Sequence, residues 1–154
     1  MNWNEGIQAF KSYLLLERGL SENTVVNYVY DVQKLVAYLE TNNMAIGPTK
    51  VKSSNLLQFI YESAKEVKPS SQSRLLSGLR VFFDFLMVEG LRGSNPITLV
   101  EPPKIGSVLP VTLSASEVEK LFTSFDEDRP IDVRNTAILE MLYSCGLRVS
   151  ELVN

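Results

Sequence analysis

The sequence predicts an all-α protein whose main body is a four-helix bundle. Three observations lead to that expectation. Apolar residues recur at i, i+3, i+4 and i+7 along four stretches of residues 1–90. Residues that start or stop helices bracket those stretches. No part of these residues alternates with the period of two that a half-buried strand needs.

The first helix carries Trp3, Ile7, Phe10 and Leu14 on one face, and Gly19 suits its end. Ser21 is placed to cap the second helix. Its stripe is Val25, Tyr28, Val29, Val32, Leu35, Val36 and Leu39; Thr41-Asn42-Asn43 ends it, and Gly47-Pro48 marks a loop. Ser53 or Ser54 caps a shorter third helix, with Leu57, Ile60, Tyr61 and Ala64 turned inward. Pro69-Ser70-Ser71 opens the fourth, which lines up Leu75, Leu76, Leu79, Phe82, Phe83, Leu86 and Met87, and Gly90 is its C′ residue.

The character changes after Asn95. Pro96, Pro102, Pro103 and Pro110 crowd around Gly106, and proline at that density blocks helix and favours an extended connector. The expected organisation is a helical domain over 1–95, a linker over 96–111 and a second segment over 112–154. In that segment Ser114-Ala115-Ser116-Glu117 has capping-box form, before Val118, Leu121, Phe122 and Phe125. Asp132 is read as the cap of the next helix, which carries Val133, Ala137, Ile138, Met141 and Leu142 and stops at Gly146. Ser150-Glu151-Leu152 reads as a further helix start.

Composition narrows the function classes. No apolar run approaches the roughly 20 residues of a membrane span, so no membrane partner is expected. The single cysteine, Cys145, cannot form an internal disulfide and suits a reducing cytoplasm; it is read as a small buried thiol. Histidine is absent, which removes the usual acid–base side chain and the commonest zinc ligand. The net charge of −3 is unevenly spread. Residues 1–100 hold ten basic and nine acidic side chains, and residues 101–154 hold five and nine. Bulk charge gives no support for nucleic-acid binding; that case rests on local placement.

Four stretches, in order, resemble the Xer-type tyrosine recombinases of the phage-integrase family. Leu139-Glu140-Met141-Leu142-Tyr143-Ser144-Cys145-Gly146-Leu147-Arg148-Val149-Ser150-Glu151-Leu152 is similar to the signature around the family's first catalytic arginine, with Cys145 where threonine is common. Arg18-Gly19-Leu20-Ser21-Glu22-Asn23-Thr24, followed by Tyr28 and Asp31, resembles the opening of the core-binding domain. Arg74-Leu75-Leu76-Ser77-Gly78-Leu79-Arg80-Val81-Phe82-Phe83 resembles its later R-x-L-S-x-L-R-x-F-F helix. Asn95-Pro96, Pro103-Lys104, Leu109-Pro110 and the helix start at 113–117 resemble the linker and the entry to the catalytic domain.

The resemblance implies a SAM-like, DNA-clamping bundle followed by a linker and the first helices of a truncated catalytic domain. It implies double-stranded DNA as partner and a recombination or integration reaction through a 3′-phosphotyrosyl bond, without ATP or metal cofactor. The full-length enzyme is expected to assemble as a tetramer on two DNA sites. Arg148 matches the arginine that holds the reacting phosphate, a task suited to a permanently charged planar fork. Glu151 matches the acidic residue that supports it; as a first-turn glutamate it also suits the helix dipole. The nucleophilic tyrosine is expected outside these residues, and Tyr143 is read as a core residue. Without histidine the chain cannot supply the family's H-x-x-R pair, so it is expected to be inactive alone and to belong to a longer enzyme.

The resemblance also places DNA contacts at Ser21, Asn23, Thr24 and Asn27, and at Ser73, Arg74, Ser77 and Arg80. Short hydroxyls and amides at a helix start offer donors to phosphate, and arginines reach phosphate or guanine edges. The alternative for these residues is an ordinary polar helix face. Lys50, Lys52, Lys65 and Lys68 are read as solvated. The apolar side chains of 112–154 are expected to pair with a second copy. Two rival readings stay open: a stand-alone DNA-binding module, and a helical protein-interaction domain, which the acidic balance favours.

Overall fold

The computed structural model describes residues 1–104, 106, 111–126 and 128–154, and every regular element among them is helical. Two compact units are present, Met1–Gly106 and Ser107–Asn154. Part of the expected connector, residues 105 and 107–110 with Leu109-Pro110, lies outside the described residues.

The first unit holds four long helices: α1 (Trp3–Ser12), α2 (Glu22–Thr41), α3 (Ser53–Ser63) and α4 (Pro69–Val88). Asn2 caps α1 through a complete capping box with Glu5. The chain then widens into a π-helical turn, Tyr13–Glu17, in which the Arg18 N–H reaches the Tyr13 carbonyl. Gly19 and Gly90 take positive φ where α1's extension and α4 end, the left-handed conformation that glycine adopts without a Cβ penalty.

Around Phe82 the aromatic rings converge. Its ring lies 5.2 Å from Phe10, edge-on, 5.4 Å from Phe83 and 5.9 Å from Trp3. Leu14, Val32, Leu35, Leu56, Leu76, Leu79 and Leu86 complete the core. Ile97 and Val100 are also buried, so the chain that follows α4 packs into the same core.

Two polar side chains brace this body. Arg92 donates to the carbonyls of Pro48 (3.0 Å), Val51 (2.8 Å) and Ser94 (3.2 Å), with its guanidinium over the Phe83 ring. Burial lowers its pKa from the ordinary value. Gln72, buried at the start of α4, donates to the Ile60 carbonyl at 2.7 Å.

The structure corrects several expectations. In α3 the buried residues are Leu56, Phe59 and Ile60. Leu57 and Tyr61, expected inside, are 52% and 68% exposed. Its apolar residues, Leu56, Leu57, Phe59, Ile60 and Tyr61, cover a broad arc of the helix, and the Phe59 ring, 5.1 Å from Tyr38, lies on the side that turns in. Its N-cap is Lys52, whose N–H donates to Asn55, and not Ser53 or Ser54. In α4, Phe85 is buried and Met87 is partly exposed, because Phe85 packs on Phe10 and Tyr13.

The second unit has α5 (Ala115–Phe122), α6 (Pro130–Cys145) and α7 (Val149–Leu152). Ser114 and Glu117 form the expected capping box. Those bonds hold the Glu117 carboxyl below its ordinary pKa. The box therefore contributes above the unfolded-chain value and is lost as pH falls through the folded one. Arg129 caps α6; Asp132 lies inside its first turn, because Pro130 already occupies the first helical position. Among the described residues of this unit none is buried. Tyr143, expected in a core, is 62% exposed with its ring edge-on to Phe122, and Cys145 is exposed, not buried. The three helices of so small a unit enclose no interior that could take them in.

Candidate nucleic-acid interface

Ser21 stands at the N-cap of α2 with extended backbone, but its hydroxyl lies 3.0 Å from Thr24 Oγ1 and makes no capping bond. The first N–H groups of α2 therefore receive no side-chain cap, and helix geometry gives them no intrahelical acceptor. Asn23 and Asn27 are exposed one turn apart, with Asn27 Nδ2 donating to the Asn23 carbonyl at 2.8 Å. Ser21, Asn23, Thr24 and Asn27 thus lie within the opening turns of one helix.

On α4, Ser73, Arg74, Ser77 and Arg80 are all at least partly exposed and follow one another at helical spacing. Ser77 Oγ donates to the Ser73 carbonyl at 3.0 Å. Arg80 is exposed, and among the described residues its guanidinium has no hydrogen bond or ion pair. Its carbonyl accepts from Asn95 Nδ2, which also donates to Asp84.

Arg74 differs from Arg80. Its Nη1 and Nη2 donate to Asp31 Oδ2 and Oδ1, both at 2.9 Å. The Arg74 side chain is 44% exposed and that of Asp31 is 0% exposed. The pair crosses from α4 to α2. A Cβ at Gly78 would stand 2.5 Å from Asp31 Oδ2 and 2.9 Å from Asp31 Cβ, so only glycine leaves room for the carboxylate. A guanidinium has five N–H donors. End-on pairing uses two, and the remainder face away from the pair.

Burial pushes the Asp31 carboxyl above its ordinary pKa, while Arg74 and, more weakly, Lys34 pull it down. A carboxyl raised on folding gives stability that is fully present below its unfolded value and is lost as pH rises through its folded value. A pair with one partner so deeply buried is poor evidence of stabilisation; what it fixes is geometry. Nearby, the Lys34 ammonium sits 4.7 Å from the centre of the Tyr30 ring.

In the second unit Arg148 caps α7. Glu151 Oε2 accepts the Arg148 backbone N–H at 2.8 Å, and Oε1 accepts from Nη1 at 2.9 Å. The structure thus brings the two sequence-selected residues together. The Arg148 side chain is 82% exposed, which leaves most of its fork open to an anion. Gly146, at φ +63°, ends α6 just before them.

Periodicity gave no sign of the Asp31–Arg74 link or of the Arg92 links to Pro48 and Val51, which join residues more than forty positions apart. The presence of both Asp31 and Arg74 in the motifs was the only signal.

The domain family described as "Phage integrase, N-terminal SAM-like domain" matches residues 7–90. The tyrosine recombinase XerD of Listeria innocua is 38% identical over 151 residues, covering 97% of this chain and 51% of the relative. That of Proteus mirabilis is 42% identical over 148 residues, covering 96% and 47%. The chain therefore spans about half the length of these curated relatives. Among solved structures, the integrase from mycobacterium phage Brujita aligns over 94% of this chain and 46% of its own, with a TM-score of 0.60 at 20% identity, a likeness of fold. XerA recombinase aligns over 97% and 49%, with a TM-score of 0.51 at 25% identity.

Proposed function

The chain belongs to the phage-integrase family of tyrosine recombinases, and on that premise we propose that it is the DNA-clamping part of a site-specific recombinase. Residues 1–95 hold double-stranded DNA, 96–111 connect, and 112–154 begin the catalytic domain. The reaction served is cutting and rejoining through a 3′-phosphotyrosyl intermediate, in the cytoplasm, by a tetramer on two DNA sites. The observation that carries this reading is the pair of polar helix faces, Ser21/Asn23/Thr24/Asn27 and Ser73/Arg74/Ser77/Arg80, inside the span that matches the SAM-like domain.

The chemistry follows from the residues. Uncapped N–H groups at the start of α2 and the small side chains around them suit phosphate oxygens. Arg80 supplies an uncommitted charge, and Arg74 an anchored one. Arg148, steadied by Glu151, supplies a fork for the phosphate at which strand cleavage occurs. Near-neutral charge over residues 1–100 makes the binding weak. Arg74→Ala and Arg80→Ala should each weaken a gel shift on duplex DNA of random sequence; two variants that bind like wild type would refute the assigned face.

The 154 residues alone hold DNA without cutting it, since no histidine is available for the H-x-x-R pair. Incubation with nicked suicide substrates should yield no covalent protein–DNA adduct. An adduct would show that the chain carries its own nucleophile. The exposed Leu121, Ile138 and Met141 of the second unit pair with another copy of 112–154. Light scattering should show mass rising with concentration, and a monomer at every concentration would contradict this.

A further inference from the structure

Asp31 is a fully buried carboxylate beneath a face assigned to DNA, which is electrostatically the wrong sign for that place. Its setting is nevertheless closely built. Gly78 has no Cβ to collide with it, and both of its oxygens are taken by Arg74 at 2.9 Å. Arg74 lies on α4 and Asp31 on α2, so the pair joins the two helices that carry the candidate contacts.

A long arginine side chain that is free in solution loses rotamer freedom when it grips a phosphate. Arg74 has already surrendered that freedom to Asp31, while the N–H groups not facing the carboxylate stay available. We propose that Asp31 is a positioning residue for DNA binding: it fixes the Arg74 fork from below, so that phosphate meets a preformed donor set. The proposal rests on the DNA-clamping reading above.

Two simpler roles give different results. If Asp31 acted only through its charge, removing that charge would tighten DNA binding. If it were only a staple between helices, its loss would lower the melting temperature and leave the affinity of the folded protein unchanged. Positioning requires weaker binding by folded protein. In Asp31→Asn one of the two acceptors becomes a donor, so the two-bond, end-on hold on the guanidinium is lost.

The test uses the full chain and duplex DNA of random sequence, with circular dichroism to establish folding. Asp31→Asn should bind roughly tenfold more weakly at low salt, the scale of one charge-assisted contact. Its log–log salt slope should fall by about 0.9, one phosphate's worth. Arg74→Ala should do the same, and the double variant should be no weaker than Arg74→Ala alone. Equal or tighter binding by Asp31→Asn, or additive losses in the double variant, would overturn the proposal. Should Asp31→Asn fail to fold, Arg74→Lys keeps the charge and removes the fork. It should bind roughly tenfold more weakly, and wild-type affinity would overturn the proposal. Wild-type protein that does not bind duplex DNA would refute the clamping reading itself, a separate outcome.

Discussion

Phe82→Ala is expected to cost about 3–5 kcal/mol of stability, the usual range for deleting a fully buried aromatic ring. Phe82 is entirely shielded from solvent. Its ring contacts join α1 to the middle of α4, through Trp3 stacked at 5.9 Å and Phe10 edge-on at 5.2 Å. Removing it leaves a void lined by rings that sit on separate turns and cannot all move in. Domains of this size are stable by only about 5–15 kcal/mol, so the variant should be close to unfolding at ambient temperature. Urea unfolding followed by far-ultraviolet circular dichroism should show a lower midpoint at an unchanged slope. A loss below about 1 kcal/mol, the scale of a surface substitution rather than a core deletion, would mean that these rings are not one another's core.

Gly78→Ala should destabilise by about 1–3 kcal/mol, the range of overpacking in a tight core. In an ordinary helix interior the same change gains about 1 kcal/mol, because alanine loses less backbone entropy, so the sign is diagnostic. Here the added methyl would meet Asp31 Oδ2 at 2.5 Å and Asp31 Cβ at 2.9 Å. The oxygen is held by Arg74, and Cβ cannot move without α2. Either the helices part or the ion pair breaks. Asp31→Ala in the same chain should restore most of the loss, as expected for two residues in direct contact. A Gly78→Ala variant more stable than wild type would remove the close approach from the account.

The fold was legible wherever one face of a helix was clearly more apolar than the other. The second helix shows this, with Val25, Val32, Leu35 and Leu39 all buried as their spacing required. Legibility failed where the pattern was degenerate. The third helix has Leu56, Leu57, Phe59, Ile60 and Tyr61 almost in succession, and spacing alone cannot choose between its two faces. The π-helical turn at Tyr13–Glu17 was hidden for a related reason, since Tyr13-Leu14-Leu15-Leu16 has no polar residue to mark the period. Caps were misplaced where proline or asparagine did the work: Pro130 starts its helix ahead of Asp132, and Asn55 serves the start of α3 from inside it.

At the candidate site, motif and local spacing placed Arg148 and Glu151 together, because three residues along one helical turn determine that geometry. They could not show that Arg74 is already engaged, because Asp31 lies 43 positions away. The second segment's apolar residues, among them Leu121, Ile138 and Met141, stay exposed. Their exposure reflects a unit too small to cover them, which is a matter of surface against volume rather than of pattern.

The central claim, that the α2 and α4 faces grip the DNA backbone, is tested most directly by the salt dependence of duplex affinity for wild type and Arg80→Ala. Counterion release predicts a linear fall of log K with log salt concentration, with about 0.9 of slope for each phosphate neutralised. Arg80 has an exposed, uncommitted guanidinium, so Arg80→Ala should weaken binding at low salt and flatten the slope by about that amount. Affinity that does not change with salt, or a variant line that lies on the wild-type line, would contradict the account.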